Sequence, residues 1–404
     1  MNRLLYTPAG VQDDLPDACR AVRALEARAE RVFAQWGYEP VAPAVVEHME
    51  VFTNQVSAFP QEAMFKFCDQ EGRLLVLRPD ITTAAARLAA TRLKDQDILR
   101  LSYRGPAFHF SGEDHTAGLR EFTQMGVELM GVEGPQADAE VIALAITALK
   151  EIGIDSFQVD VGQVNYFIGL AEDAGLSGAA IEQLRQAVEQ KNSLSIEMLL
   201  KEAQVEEATR ERILQLPMLY GGKEVLDTAR DYSSNPRCRQ AVENIGEVWS
   251  ILEEYGLADY LSIDLGMVQS IGYYTGVIFR GICEQMGYPI LTGGRYDKLV
   301  GEFGRDMAAT GFAMGVKPLL TALERRGCVE PGRPVDAVVG YAPEARRQAL
   351  GWMAQLRGQG MRVRQSFDGL TALKAYAQAH DQIKVYWVQP DTVSTLLPGK
   401  EIAP

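Results

Sequence analysis

The stretch from Tyr103 to Met130 limits most strongly what this chain can fold into. It reads as two extended arms around a loop. The first arm carries Tyr103, Pro106, Ala107, Phe108 and Phe110, and the loop from Ser111 to Gly118 is polar and glycine-bearing. The second arm alternates, so successive side chains are expected on opposite faces of a strand. Glu121, Thr123, Met125, Val127 and Leu129 share one face; Arg120, Phe122, Gln124, Gly126 and Glu128 share the other. Met125, Val127 and Leu129 read as the core side. Gln124 and Glu128 then form a polar pair on an open side, with Gly126 between them leaving room for something to lie flat on the strand. On pattern alone, the plain reading is a solvated sheet face.

The 404 residues have room for two or three domains, and an apolar share of 47% supports ordinary cores. No apolar run approaches the roughly 20 residues of a membrane span. Met1 to Thr7 lacks the apolar centre of a signal peptide, so neither a membrane partner nor export is expected. Cys19, Cys68, Cys238, Cys283 and Cys328 are scattered, without zinc-ligand or redox spacing. They read as free thiols in a reducing cytoplasm. His48, His109, His115 and His380 form no metal-spaced set, and neither a metal nor a cofactor is expected. A net charge of −14 and a pI near 4.9 repel phosphate backbones, which speaks against a nucleic-acid partner.

In chain order, Met1 to Pro16 is an irregular entry. Ala18 to Trp36 has helical spacing at Val22, Leu25, Ala29, Val32 and Phe33, and stops at Gly37. Pro40 and Pro43 keep Tyr38 to Val46 extended. Arg73 to Leu77 is a short strand ending in Arg78-Pro79-Asp80, after which Asp80 or Thr82 caps a helix over Ala84 to Leu93. Beyond the hairpin come a helix over Ala137 to Ile152 and a strand over Phe157 to Val161. An almost wholly helical insertion follows from about 165 to 255, whose charges read as a solvated surface. Strands return at Leu261–Leu265, Tyr273–Arg280 and Ile290–Thr292. Gly293-Gly294-Arg295-Tyr296-Asp297 reads as a glycine-led turn where a ligand or backbone approaches closely. Gly311 to Gly315 is a strand leading into a helix over Pro318 to Arg326, and Pro331 and Pro334 mark a linker. Strands at Val335–Gly340, Arg362–Ser366 and Ile383–Val388, separated by helices at Glu344–Leu356 and Thr371–His380, form a small α/β module.

This order of motifs resembles the catalytic core of histidyl-tRNA synthetase, a class II synthetase, over about residues 1–326. Leu77-Arg78-Pro79-Asp80-Ile81-Thr82 is similar to the family's Leu-Arg-Pro-Glu-x-Thr. Arg120 to Gln124 with Glu128 is similar to the second half of its hairpin motif, and Tyr273-Tyr274 and Gly293 to Asp297 to its later boxes. The resemblance implies an α+β class II core with a mainly antiparallel sheet, the helical insertion, a linker over 327–334 and a C-terminal α/β domain over 335–404. It also implies a pocket for free histidine. Asp80, Thr82 and Gln124 would face the ammonium group, Glu128 would accept from the imidazole, and Tyr273 and Tyr274 would line the ring. A zwitterion with a polar ring needs such acceptors, and charge-assisted hydrogen bonds are the strong ones.

The departures from the family are as informative as the matches. Adenylation needs fixed positive charge on a triphosphate, which arginine supplies because it stays charged and planar. The family's three arginine positions are here His109 in Phe108-His109-Phe110-Ser111, Gln269 in Gln269-Ser270-Ile271-Gly272-Tyr273-Tyr274, and Pro318 in Gly315-Val316-Lys317-Pro318. Gln269 also replaces the expected partner of the ligand carboxylate. A kept amino-acid pocket with lost adenylation chemistry resembles the regulatory subunits of ATP phosphoribosyltransferase. That resemblance implies no catalytic residues of its own and a short-form catalytic subunit as partner. It also implies histidine as effector and a homodimer within a hetero-oligomer, with the Ala18–Trp36 helix and the following extended segment at a two-fold interface. The alternatives are a working histidyl-tRNA synthetase, a synthetase-like ligase of another amino acid, and a scaffold that binds no ligand. The isolated chain is expected to show no histidine-dependent ATP–pyrophosphate exchange. Loss of one such donor costs about 100- to 1000-fold, and robust exchange would restore the synthetase reading.

Overall fold

The computed structural model describes residues 3–54, 56, 59–110, 119–268, 273–329, 335–397 and 400–401. The loop from Ser111 to Gly118, residues Gln269 to Gly272, and Pro331 and Pro334 lie outside the described residues. The chain divides into two compact units, Met1–Glu330 and Pro331–Pro404.

The larger unit is built on a nine-stranded sheet. Its spatial order is Glu39–Val41, Leu99–Phe108, Glu121–Met130, Ala309–Gly315, Leu291–Arg295, Val277–Cys283, Phe157–Gln163, Leu261–Asp264 and Tyr220–Gly221. The first pair is parallel, as is Phe157–Gln163 with Leu261–Asp264; all other pairings are antiparallel. The long hairpin therefore sits inside the sheet, paired on both sides.

One sheet face packs against long helices. Pro16–Gln35 opens on a proline at its first position, where the missing N–H costs nothing, and ends ahead of Gly37, whose φ of 81° suits glycine. Its buried residues Leu25, Ala29, Val32 and Phe33 recur on one stripe. They join Met125, Val127, Leu129, Phe279 and Phe312 of the sheet and the buried stripe of the Pro135–Ile152 helix. Met125, Val127 and Leu129 thus lie on the core side, as the alternation predicts.

The opposite face is not open. The Thr82–Arg92 helix covers it, with Ala85, Ala86, Ala89 and Ala90 packed near Leu99, Leu101, Met130, Tyr273, Tyr296 and Leu299. Small side chains let a helix lie close to the strands. Its start is organised by Asp80, whose Oδ1 accepts the Thr83 backbone N–H at 2.8 Å and whose Oδ2 accepts the Thr83 hydroxyl at 3.1 Å. Of the two caps the sequence offers, Asp80 does the capping.

Several elements differ from the sequence reading. Gly293 to Asp297 is no glycine-led turn: Leu291–Arg295 is a strand, and glycines 293 and 294 are there because neighbours leave no room for a Cβ. Gly294, for example, has the Val277 carbonyl oxygen 2.6 Å and a Tyr274 ring carbon 2.8 Å from where its Cβ would lie. Tyr273 and Tyr274 precede their strand, which begins at Val277. A small antiparallel sheet of Val46–His48, Leu74–Leu77 and Lys66–Cys68 joins segments the sequence left separate. The insertion is helical from Val164–Asp173 to Pro236–Glu254, but it also contributes the edge strand Tyr220–Gly221. The C-terminal unit adds Thr392–Leu397 and Lys400–Glu401 to the three expected strands, in the order Val363–Gln365, Ala337–Tyr341, Lys384–Gln389, Thr392–Leu397, Lys400–Glu401. Its helices Arg346–Gly358 and Leu370–Ala379 bury Ala349, Met353 and Leu356 in one cluster and Leu373 and Ala377 in another. Among the described residues, no helix is long and apolar enough to cross a membrane.

Arg78 joins the small sheet to the hairpin. It is 3% exposed. Its Nε donates to the Pro106 carbonyl at 2.8 Å, and its Nη1 to those of Pro43 at 2.6 Å and Ala44 at 3.4 Å. Gly105 makes way for it, since a Cβ there would strike Nη2. Arg78→Met should strand these carbonyls and destabilise the larger unit by roughly 2–4 kcal/mol. A urea midpoint equal to that of the wild type would show that the guanidinium is dispensable.

Candidate functional site: a carboxylate cage on the covered sheet face

The six residues singled out from sequence come from three elements and meet under the Thr82–Arg92 helix. The Ile81 backbone N–H donates to Gln124 Oε1 at 3.2 Å, tying the helix start to the hairpin. The Thr82 hydroxyl lies 3.4 Å from that of Tyr103. The Tyr273 ring packs beside Tyr274 at 5.0 Å and edge-on to Tyr296 at 5.8 Å. Asp80 lies close enough to act on Glu128, Tyr273 and Tyr274 electrostatically.

Glu128 is the centre. It is 1% exposed. Its Oε2 accepts the Tyr296 hydroxyl, and its Oε1 is buried without a hydrogen-bond partner. The neighbouring strand meets it at Gly311, where any Cβ would land on Oε2. Burial pushes its pKa up to about 8, and Asp80 adds to the rise; the hydroxyls of Tyr296, Thr82 and Tyr103 oppose it. Asp80 is also raised by burial, against the pull of the Thr83 N–H and hydroxyl and of Arg78. The phenols of Tyr103, Tyr273 and Tyr296 are driven well above their usual range by burial, so they remain donors.

Tyr103 and Tyr296 were not among the residues picked from sequence. Tyr103 pairs in register with Gly126, and its hydroxyl lies 2.8 Å from where a Gly126 Cβ would be. The room over Gly126 is therefore filled by the protein itself, which corrects the expectation of a flat, open strand. A tyrosine across from a glycine was the available signal. Tyr296 had none beyond its place after Gly293-Gly294-Arg295. Arg295 itself is committed to structure: its Nε donates to Asp138 at 3.0 Å, and its other nitrogens reach the Val132 and Gly134 carbonyls and Asp297.

The former arginine positions are occupied differently. His109 is 2% exposed, with Phe59 at 6.1 Å and Phe122 at 4.9 Å from its ring. Pro318 is buried in the Val316–Arg325 helix, while Lys317 pairs with Asp14 at 2.6 Å. Gln269 lies outside the described residues. The cage thus offers two carboxylates, an amide and several hydroxyls. That donor and acceptor set suits a ligand that brings positive charge and N–H groups.

Known proteins share this architecture. The sequence profile of the histidyl-tRNA synthetase family matches residues 10–319. An ATP phosphoribosyltransferase regulatory subunit of Acetivibrio thermocellus is 46% identical over 90% of this chain and 87% of its own. One from Symbiobacterium thermophilum is 41% identical over 94% and 95%. The chain belongs to the ATP phosphoribosyltransferase regulatory subunit family. A solved structure from Bacillus halodurans, described as an ATP phosphoribosyltransferase regulatory subunit/histidyl-tRNA synthetase, superposes with a TM-score of 0.85 at 30% identity, covering 96% of this chain and 99% of that one. A histidyl-tRNA synthetase from Nostoc shares the fold, with a TM-score of 0.82 at 20% identity. The larger unit is therefore a class II aminoacyl-tRNA synthetase-like core, and its role is that of a regulatory subunit.

The raised pKa of Glu128 has a signed consequence for stability. The folded value, about 8, exceeds the usual 4.5. The ionisation penalty is therefore absent below about pH 4.5, and stability is lost progressively as pH rises from there to about 8. Glu128→Gln cannot ionise. The variant should match the wild type within about 1 kcal/mol near pH 5 and exceed it by several kcal/mol near pH 8.5, as an order of magnitude. Urea unfolding at the two pH values measures this, and a difference that stays constant with pH would refute it.

Proposed function

We propose that this chain is the non-catalytic partner of a short ATP phosphoribosyltransferase catalytic subunit, which it activates and makes sensitive to histidine. Regulatory subunits so named are its relatives at up to 46% identity. The observation that carries the finer reading is the contrast between pocket and lost arginines. Asp80, Thr82, Gln124, Tyr273 and Tyr274 gather around Glu128, while positions 109 and 318 carry a histidine between aromatic rings and a helix-buried proline. A chain that keeps amino-acid recognition without the charge needed for adenylation is suited to sensing.

In this reading histidine is the effector. Asp80, Thr82 and Gln124 receive its ammonium group, Glu128 its imidazole, and Tyr273 and Tyr274 flank the ring; Tyr296 and Tyr103 complete the cage. Residues 1–326 form the sensing core, with the insertion over about 165–255, and 335–404 a separate α/β domain. The chain works in the cytoplasm as a homodimer within a hetero-oligomer, without nucleic acid. Sensing requires a second site whose state the pocket changes, and the coupling is reciprocal.

Transferase activity of the catalytic subunit, with and without this chain across a histidine titration, tests the proposal. The chain should raise activity and confer inhibition. Glu128→Ala should keep assembly and activation and raise the inhibitory histidine concentration about 10- to 100-fold, the value of a hydrogen bond to a charged group. Equal inhibition with both chains would put the sensor elsewhere, and activity unchanged by the chain would remove the regulatory role.

A further inference from the structure

Every group identified as facing Glu128 is neutral or acidic. Asp80 and Thr82 approach from the helix start, Tyr103 from the adjoining strand, and Tyr273, Tyr274 and Tyr296 from the far side, with Tyr38 at longer range. Gly311 contributes backbone alone. None of these is a cation. Arg78 acts on Asp80, but its Nε donates to the Pro106 carbonyl and its Nη1 to those of Pro43 and Ala44. One carboxylate oxygen has the Tyr296 hydroxyl and the other, Oε1, has no partner.

An ionised carboxylate buried in this way is costly, and a ring that merely donated a neutral N–H to Oε1 would satisfy the oxygen and leave the charge uncompensated. The ligand's ammonium does not help, since in that reading it faces Asp80 and the ligand brings a carboxylate of its own. Resting on the histidine reading of this pocket, we propose that Glu128 and the ligand ring hold a single shared proton in the complex, so that the site takes amino acids whose side chain is a basic ring.

The proton balance follows. Near neutral pH the proton is already on the Glu128 carboxyl; on binding, the ring nitrogen accepts it, an O–H bond giving way to an N–H bond, and nothing is exchanged with solvent. Above the pKa of Glu128 both partners start deprotonated, and one proton is taken up from water. Affinity is then flat between the imidazole value, about 6.5, and that of Glu128, and falls about tenfold per pH unit above it.

Calorimetry of the full chain with L-histidine, in paired buffers of different ionisation heat, reads the proton count. The ligand's ammonium titrates equally with wild type and with Glu128→Gln, so the difference between the two isolates the shared proton. The wild type should take up about one proton more than the variant near pH 8.8 and about the same number near pH 7. A wild type that instead releases about one extra proton near pH 7, with no difference at pH 8.8, would mean that an ionised Glu128 faces a neutral ring, and the inference falls. Weakened binding by Glu128→Gln with unchanged alkaline uptake overturns the inference and leaves the pocket reading standing. Unchanged affinity in that variant overturns both. β-(2-Thienyl)-L-alanine, with a ring of similar size and no basic nitrogen, should bind about 10- to 100-fold more weakly than histidine near pH 7. Equal binding would also overturn the inference.

Discussion

The buried ion pair between Arg295 and Asp138 holds the cage in place. Arg295 ends a central strand, and Asp138 lies in the first turn of the long Pro135–Ile152 helix on the sheet's core side. The guanidinium also reaches the Val132 and Gly134 carbonyls ahead of that helix and Asp297 beyond the strand. Asp297 in turn accepts the Thr275 hydroxyl at 3.2 Å and the Ala309 N–H at 3.1 Å. Gly276 passes so close that its Cβ would lie 3.0 Å from Arg295 Cδ. One buried cation therefore fixes the strand end that presents Tyr296 to Glu128 and the segment that carries Tyr273 and Tyr274. Breaking such a pair leaves an uncompensated charge in the interior, which makes the arrangement rigid without making it a large source of net stability.

Around that frame, the two kinds of arginine have separate fates. Arg78 and Arg295, which serve the backbone and a buried aspartate, are present and hydrogen-bonded. At 109 and 318, where the resemblance to histidyl-tRNA synthetase would place arginines, the side chains are buried histidine and proline. Scaffold and cage can thus be kept by structural demands alone, which is how a regulatory subunit can share the outline of a synthetase core.

Much of this was legible in the sequence where the local pattern and the tertiary environment agree. The alternation through Met125, Val127 and Leu129 gave the core face, and Arg78-Pro79-Asp80 gave a strand end followed by a capped helix start. The burial of Glu128 was not legible. A Gln-x-Gly-x-Glu face reads as solvated until the Ala-rich helix Thr82–Arg92, some forty residues earlier in the chain, is laid over it. Gly293-Gly294 misled for a related reason. Consecutive glycines signal a turn, but here they are the only residues that fit between Phe279, Tyr274 and the next strand. Tyr296 had no local signal because its role depends on a strand register with partners 168 positions away. The hairpin of Lys384–Gln389 with Thr392–Leu397 had little local signal because Thr392, Ser394 and Thr395 are polar, and its tight turn rests on Asp391, at a φ of 63°.

The setting of His109 decides what its position can accept. An arginine restored at that position would meet the ring neighbours Phe59 and Phe122 and a site closed to solvent before it met any nucleotide. A single His109→Arg substitution would then bury an unpaired charge and lower stability at once. The packing of one imidazole thus works as a lock on its position, because the surrounding rings leave a longer, charged side chain nowhere to go without moving them.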